Sequence, residues 1–492
     1  MKKIILFLVD SMMPDVVQRC ISQEKAPALQ FFQQHGELIP DCVTVFPTMT
    51  ASVDCSLLTG VYPDQHKVPG LVWFDPDNEC VVDYVNGAMP VYRIGLGQCA
   101  NNVLFDLNER HLSKQVKTIH EDLEEQGYVS GSINVIAHRG HRQHKMNLPL
   151  FIDAIRGFQP AAKVSGPTFL SLGTLVQPNL FRPLNWNWSH ASVSSYGIND
   201  VFAIDLLIEV IRSGKQPDFT LVYLPDNDHK VHKDPNGAVD HLADVDKQLV
   251  RFLDSFDSWE QAMDRNTILL ISDHGQTMIG TEEERNVPID ELLSGFSLYK
   301  LGTEFQAWHE VVVCNNERMG YLYPLSMELQ AKIVEAVAID SRLDIIAWKE
   351  EDWVVARKGG TNQVIRYRKG GPLRDPYGAD WTVEGQTEVL DLQLAGNSVG
   401  YDSFPDAMAR LYGSLFSQGV PVIVVNAAPG YELLSECSPT HLGGGSHGSL
   451  HKQDSIIPLI VAGASRPFPR PARLIDVKTF VTQEIAALQA VR

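Results

Sequence analysis

Three apolar runs of strand length, each leading into acidic residues, constrain this chain more than any other feature. Lys3–Val9 runs into Asp10, Phe219–Leu224 into Pro225-Asp-Asn-Asp228, and Thr267–Ile271 into Ser272-Asp273-His274. Runs without polar alternation read as strands buried on both faces, as in the parallel sheet of an α/β protein. Ligands gather at the carboxyl edge of such a sheet. An aspartate there serves either a ligand or the next helix as a cap. Amphipathic stretches suited to crossover helices lie between the runs, at Pro27–Gln34, Lys117–Gln126, Asn199–Arg212, Val239–Phe256 and, last, Ile475–Ala487. Further strands are expected at Leu38–Val45, Val129–Val135, Val420–Val425 and Ser455–Ala462.

At 492 residues the chain is long for one compact domain, which predicts a large core with an insertion. The core is expected over 1–295 and 400–492, interrupted by irregular stretches at 69–110 and 138–198, the second carrying Trp186 and Trp188. Between 300 and 395 the pattern changes to short strands (His309–Val313, Met319–Leu322, Asp344–Trp348, Trp353–Arg357, Gln363–Arg368) with one helix, Ser326–Val337. That reads as a smaller α+β module inserted into the sheet domain.

The formal net charge of −19 argues against a nucleic-acid backbone or an anionic membrane as a general partner. A small phosphorylated ligand stays compatible if metal ions supply local positive charge. The seven cysteines are scattered and include no CxxC pair, which suits reduced thiols in the cytoplasm. The apolar run Ile4–Val9 ends on a carboxylate, as a buried strand does and a signal peptide does not. No run approaches the ~20 apolar residues of a membrane span.

The stretch Phe46-Pro-Thr-Met-Thr50 follows an extended segment and opens a helix that ends at Gly60. Thr50 then lies in the first turn, where free N–H groups and the helix dipole favour an anion. A hydroxyl so placed can attack a phosphoryl group once a metal ion lowers its pKa. The plainer reading makes Thr48 or Thr50 an N-cap. Asp228 and His232, four apart, and the adjacent Asp273 and His274 are carboxylate–imidazole pairs suited to Zn²⁺. The Gly-rich loop Gly443-Gly-Gly-Ser-His447 offers another imidazole where the backbone can approach closely. The basic cluster His138-Arg139-Gly-His141-Arg142-Gln-His144-Lys145 is a candidate for binding a substrate anion, or a solvated loop.

Asp10, the FPTxT phrase ending at Thr50, Asp228-x-x-x-His232, Ser-Asp273-His274-Gly and Gly-x-His447-Gly occur in the order found in the alkaline phosphatase superfamily. The segment Thr50…Leu-Leu-Thr-Gly60-Val-Tyr-Pro-Asp-Gln-His66 resembles the nucleophile region of its type I phosphodiesterase/nucleotide pyrophosphatase branch. The resemblance spans Lys3–His66, Leu221–Gly275 and Gly443–Gly463. It implies a three-layer α/β sandwich with a mostly parallel central sheet, and two divalent metals, Zn²⁺ or alternatively Mn²⁺. Asp228, His232 and His447 would hold one ion. Asp10, Asp273, His274 and the Thr50 oxygen would hold the other. It further implies hydrolysis of a phosphate ester (diester, monoester, pyrophosphate or phosphonate) through a phosphothreonine on Thr50. A metal-dependent phosphomutase or phosphotransferase of the same superfamily is the alternative, with the 138–145 cluster as its phosphate pocket.

The chain departs from the branch pattern at one informative place. Members that cleave nucleotide diesters carry an Asn after the Tyr-Pro-x-x-His turn, and the corresponding position is Leu71. Leucine cannot donate a hydrogen bond to a phosphoryl oxygen. The substitute donors expected from the sequence are Asn86, Asn101, or His138, Arg139, His141 and Arg142. A donor of this kind is typically worth about 2.7–4 kcal/mol in an oxyanion site. Leu71→Asn is therefore expected to raise kcat/KM for a nucleotide aryl diester over a weakly active wild type. A wild type already efficient on the diester and indifferent to the change would show that Leu71 does not mark specificity.

Overall fold

The structure, a computed structural model, describes residues 2–146, 163–178 and 197–490. The expected segment around Trp186 and Trp188 lies outside the described residues. The central sheet has seven strands in the order Gly36–Val43, Ile456–Ala462, Asn266–Ser272, Lys3–Val9, Phe219–Leu224, Ser130–Ile133, Phe169–Ser171. Ile456–Ala462 runs antiparallel to both its neighbours, and the other pairings in the sheet are parallel. The sheet is large and mixed, with parallel strands at its centre.

The three runs that dominate the sequence are the three central neighbours, and their register matters for chemistry. Val9 lies opposite Ser272 on one side and Leu224 on the other. Asp10, Asp273 and the turn leading to Asp228 therefore leave the sheet at one level of its carboxyl edge. Strand alternation sends Ile5, Phe7 and Val9 into one apolar layer, with the helices Pro14–Ser22, Asp200–Arg212 and Ala238–Leu253. Ile4, Leu6 and Leu8 face the other layer, with Thr50–Thr59 and Asp476–Ala490. The result is helices on both faces of one sheet.

A second, largely antiparallel sheet is built from residues 311–427. Its order is Val311–Asn316, Met319–Pro324, Ile423–Ala427, Leu343–Glu350, Trp353–Arg357, Val364–Arg374, Ser398–Tyr401, Leu392–Ala395, with Asp380–Gly385 also on Val364–Arg374. Ile423–Ala427, from the stretch expected to rejoin the core, is an interior strand of this second sheet. An apolar strand shows its length in the sequence but not which partner's backbone it satisfies. The helix expected at Ser326–Val337 is Gln330–Ala338, preceded by one tighter turn.

The stretch 69–110, expected to be irregular, is ordered. It holds a hairpin of Val72–Asp75 and Cys80–Asp83, the helices Ala88–Ile94 and Leu96–Asn101, and a wider helical turn series over Asn102–His111. Gly87 and Gly95, both at positive φ, cut its helices too short for an apolar period to show.

The turn between the strands Val311–Asn316 and Met319–Pro324 reaches back to the central sheet. Arg318 and Asp454 are both fully buried, with the guanidinium Nη1 donating to both carboxylate oxygens at 2.6 and 2.7 Å. The same nitrogen donates to Thr277 and Ser449. Removing one partner of a buried pair strands the other charge, at a cost of about 3–5 kcal/mol. Arg318→Leu should lower the denaturation free energy by that order, read from the denaturant midpoint. A loss below about 1 kcal/mol would mean the pair is not the clamp described.

Candidate active site

Asp10, Asp273 and His274 are delivered by the ends of apolar strands, and the other candidate ligands by a helix and a loop. Asp10 follows its strand, and its Oδ2 accepts from the Tyr223 hydroxyl. Asp228 and His232 stand one turn apart on the helix Asp226–Lys233, a position that puts them on one face. Asp273 and His274 follow Asn266–Ser272, and Asp273 Oδ1 accepts from the backbone N–H groups of Ser11 (3.0 Å) and His274 (2.8 Å). His447 comes on the Gly-rich loop. The glycines there serve the approach of the loop to protein. A Cβ on Gly444 would lie 2.1 Å from the His232 carbonyl oxygen, and one on Gly448, at φ +109°, 2.4 Å from that of Asn316.

The ligand atoms converge in two groups. His274 Nε2 lies 3.2 Å from Asp273 Oδ2 and 3.6 Å from Asp10 Oδ1. All three atoms are buried and without a hydrogen-bond partner among the described residues. Orphaned polar atoms facing one point are costly unless something polar binds there. Burial, and then the charges of Asp273 and Asp228, push the Asp10 carboxyl well up. A divalent cation at that point would relieve both penalties.

The second group joins Asp228 Oδ1 to His232 Nε2 at 3.3 Å and to His447 Nε2 at 3.9 Å. His232 Nδ1 faces the Gly445 carbonyl at 2.7 Å and His447 Nδ1 the Thr48 carbonyl at 2.7 Å. Carbonyls accept, so both Nδ1 atoms carry hydrogen and Nε2 is turned toward the site. The His274 and His447 rings stack at 3.7 Å, which places the two groups side by side. Burial opposes charge on His232, yet Asp228 and Glu317 outweigh it and push the imidazole up to about 10. Both groups fit a divalent metal by donor chemistry, and the first also by its orphaned buried atoms.

Thr50 is the first residue of the helix Thr50–Thr59 and is half-buried. The first bond of that helix runs from Val53 N–H to the Met49 carbonyl, so the preceding N–H groups lack intrahelical acceptors. Thr48 is fully buried. Its hydroxyl donates to the Ser449 carbonyl at 3.2 Å and accepts from Gly448 N–H at 2.9 Å. Of the two threonines, Thr48 ties the segment leading into the helix Thr50–Thr59 to the His447 loop. Thr50 has no such engagement among the described hydrogen bonds.

The substrate-binding candidates fall elsewhere. Arg139 is paired with Glu121 and donates to the carbonyls of Leu112, Ser113 and Val116. His138 is buried between Asn108 and the Ser165 carbonyl. His141 and Arg142 are exposed, with His141 beside Glu125. The structure brings none of these four to the metal-ligand groups through any hydrogen bond or ion pair described. Leu71 is half-buried in the apolar layer, its N–H bonded to Asn316 Oδ1 at 2.9 Å. Asn86 donates to the Asn315 carbonyl at 3.4 Å, and Asn101 ends the helix Leu96–Asn101.

Several residues at the site had no signature in the sequence. Ser11, at φ 55°, and Gln276 both donate to Asp228 Oδ1 at 2.6 Å. Glu317 and His441 border His232. His441 stands two residues before the Gly-rich loop, a proximity that could have flagged it. Glu317 comes from the second sheet, and nothing near it in the sequence points to the site.

The profile of the type I phosphodiesterase / nucleotide pyrophosphatase family matches residues 4–450. Among solved structures, human ectonucleotide pyrophosphatase / phosphodiesterase 5 aligns at TM-score 0.59 and 15% identity, over 99% of this chain and 95% of that one. The murine protein, in an inactive threonine-to-alanine form in complex with AMP, aligns at 0.58 and 13% over the same shares. Phosphonoacetate hydrolase from Sinorhizobium meliloti 1021, in complex with phosphonoformate, aligns at 0.56 and 14%, over 98% and 96%. No curated protein sequence matches.

A cation entering the His232 group at neutral pH displaces the proton that Asp228 and Glu317 hold there. Its apparent affinity should therefore rise with pH toward about 10 and fall as pH drops. Zinc titration of metal-free protein is expected to release protons, and His232→Ala to lower bound metal by one per chain. A variant with unchanged stoichiometry would remove His232 from the ligands.

Proposed function

The chain belongs to the type I phosphodiesterase / nucleotide pyrophosphatase family, a family of phosphoric ester hydrolases, and from that premise we propose a two-cation hydrolase acting through Thr50. The observation that carries this reading is the convergence of two ligand groups side by side, one of them buried with its facing atoms left without a hydrogen-bond partner among the described residues. Divalent cations held there, Zn²⁺ or alternatively Mn²⁺, supply the charge that lowers a hydroxyl's pKa and neutralises the phosphoryl oxygens. Asp10, Asp273 and His274 would hold one with the Thr50 oxygen, and Asp228, His232 and His447 would hold the other.

In this reading Thr50 Oγ gives its proton to water and attacks phosphorus, the bond from phosphorus to the ester oxygen (or to carbon in a phosphonate) breaks with the leaving atom taking a proton from water, and a phosphothreonine forms. Water then cleaves the phosphorus–Oγ bond and restores the threonine. The unpaired N–H groups of the first helical turn donate to phosphoryl oxygens throughout, and the helix dipole adds to them. Thr48 keeps the His447 loop against the nucleophile strand. The substrate is a small phosphate ester or phosphonate.

The engagement of Arg139, His138 and His144 in protein contacts favours a hydrolase over a phosphomutase, since it takes away the pocket that would retain a phosphorylated intermediate's partner. Seven free cysteines support the cytoplasm as the compartment. No helix among the described residues is long and apolar enough to cross a membrane.

Thr50→Ala should lower kcat on an aryl phosphate ester by at least about a thousandfold, with both metals still bound. Free phosphate or phosphonate-cleavage product in the wild type, measured alongside, identifies hydrolysis. Substantial turnover in Thr50→Ala would reject the covalent route, and an isomerised product would reject hydrolysis.

A further inference from the structure

The expected metal ligands do not exhaust the imidazoles and carboxylates beside His232. His441 packs against it, ring centroids 4.5 Å apart. The Nδ1 of His441 lies 3.0 Å from Glu432 Oε2, and the Glu432 side chain is fully buried. A carboxylate so placed accepts the Nδ1 hydrogen, fixes the tautomer and leaves Nε2 as a lone pair. It is the arrangement that usually stands behind a metal-binding histidine.

Glu317 completes the surround. It occupies a left-handed backbone position, φ 62°, a conformation rare for a residue with a side chain. Its Oε2 accepts from Ser446 Oγ at 3.0 Å and from His447 N–H at 3.1 Å. Its Oε1 stands 3.9 Å from His232 Nε2. That is too long for a hydrogen bond but suits two ligands of one ion with bonds of about 2.0–2.2 Å. His232, Glu317 and His441 each offer an atom within 4.8 Å of the others.

We propose that His232, Glu317 and His441 form a second position for the first cation, a zinc-type divalent metal, used in alternation with Asp228, His232 and His447. Both positions need His232 Nε2, because its Nδ1 is committed to the Gly445 carbonyl. One nitrogen lone pair holds one cation, so the chain still carries two in all. The second position retains the ion when the inner ligands let it go, and its own ligands slow escape to solvent. This builds on the two-cation reading of the site and is tested apart from it.

The experiment counts Co²⁺ bound per chain in the wild type, in Asp228→Ala/His447→Ala, and in that double variant with His441→Ala added, with circular dichroism as the folding control. Two, two and one are expected. Fewer than two in the wild type would overturn the two-cation reading and this position with it. Two in the wild type but one in the double variant would overturn the second position alone, as would two in the triple variant. If the double variant does not fold, the His441→Ala single variant decides. Loss of its first cation to a chelator should be about tenfold or more faster than in the wild type, and an unchanged rate overturns the proposal.

Discussion

The buried ion pair of Arg318 and Asp454 is the interaction on which the site's geometry depends. Arg318 belongs to a turn of the second sheet and Asp454 to the short helix Lys452–Ser455 that follows the loop carrying His447. Two charges removed from water are tolerated only when fully satisfied. Here Arg318 also donates to Thr277, Ser449 and the carbonyls of Tyr431 and Ala427, while Asp454 accepts from Thr277 and Ser449 N–H. No single strand or helix supplies all these partners. The network therefore exists only when both sheets and both catalytic-edge loops are in place.

The three residues before Arg318 extend that logic. Asn315 reaches the Leu433 carbonyl, Asn316 satisfies the backbone at Leu71 and Val72, and Glu317 holds Ser446 and the His447 N–H. One turn of the second sheet thus positions the hairpin lobe, the Gly-rich loop and the surroundings of His232. The second sheet is part of the site's support.

Charge follows the same division. The chain is strongly acidic as a whole, and it brings the buried Asp10, Asp273 and Glu317 and the half-buried Asp228 into one corner. Glu317 is held down to about 2, since the neighbouring His447 and His232 outweigh its burial, while Asp10 is pushed up by burial and by its fellow carboxylates. Unequal carboxylates packed together are an arrangement that a divalent cation would neutralise.

By itself the sequence determined the buried parallel strands and the placement of Asp10, Asp228, Asp273 and His274 beside one another. Apolar runs have few ways to be buried, and strands in register must end at one level. It also revealed Thr50 as a residue opening a helix, because Phe46-Pro-Thr-Met-Thr50 and Gly60 are local signals of a start and a stop. The tertiary structure alone decided that Ile423–Ala427 joins the second sheet, since partner choice depends on which backbone lies near. It alone committed Arg139 and His138 to protein contacts, because a basic cluster looks the same whether its partners are carbonyls or a ligand. And it alone brought Glu317, 85 residues beyond His232, and His441, 124 residues beyond Glu317, to the same imidazole, since no local pattern encodes a contact between loops so far apart in the chain.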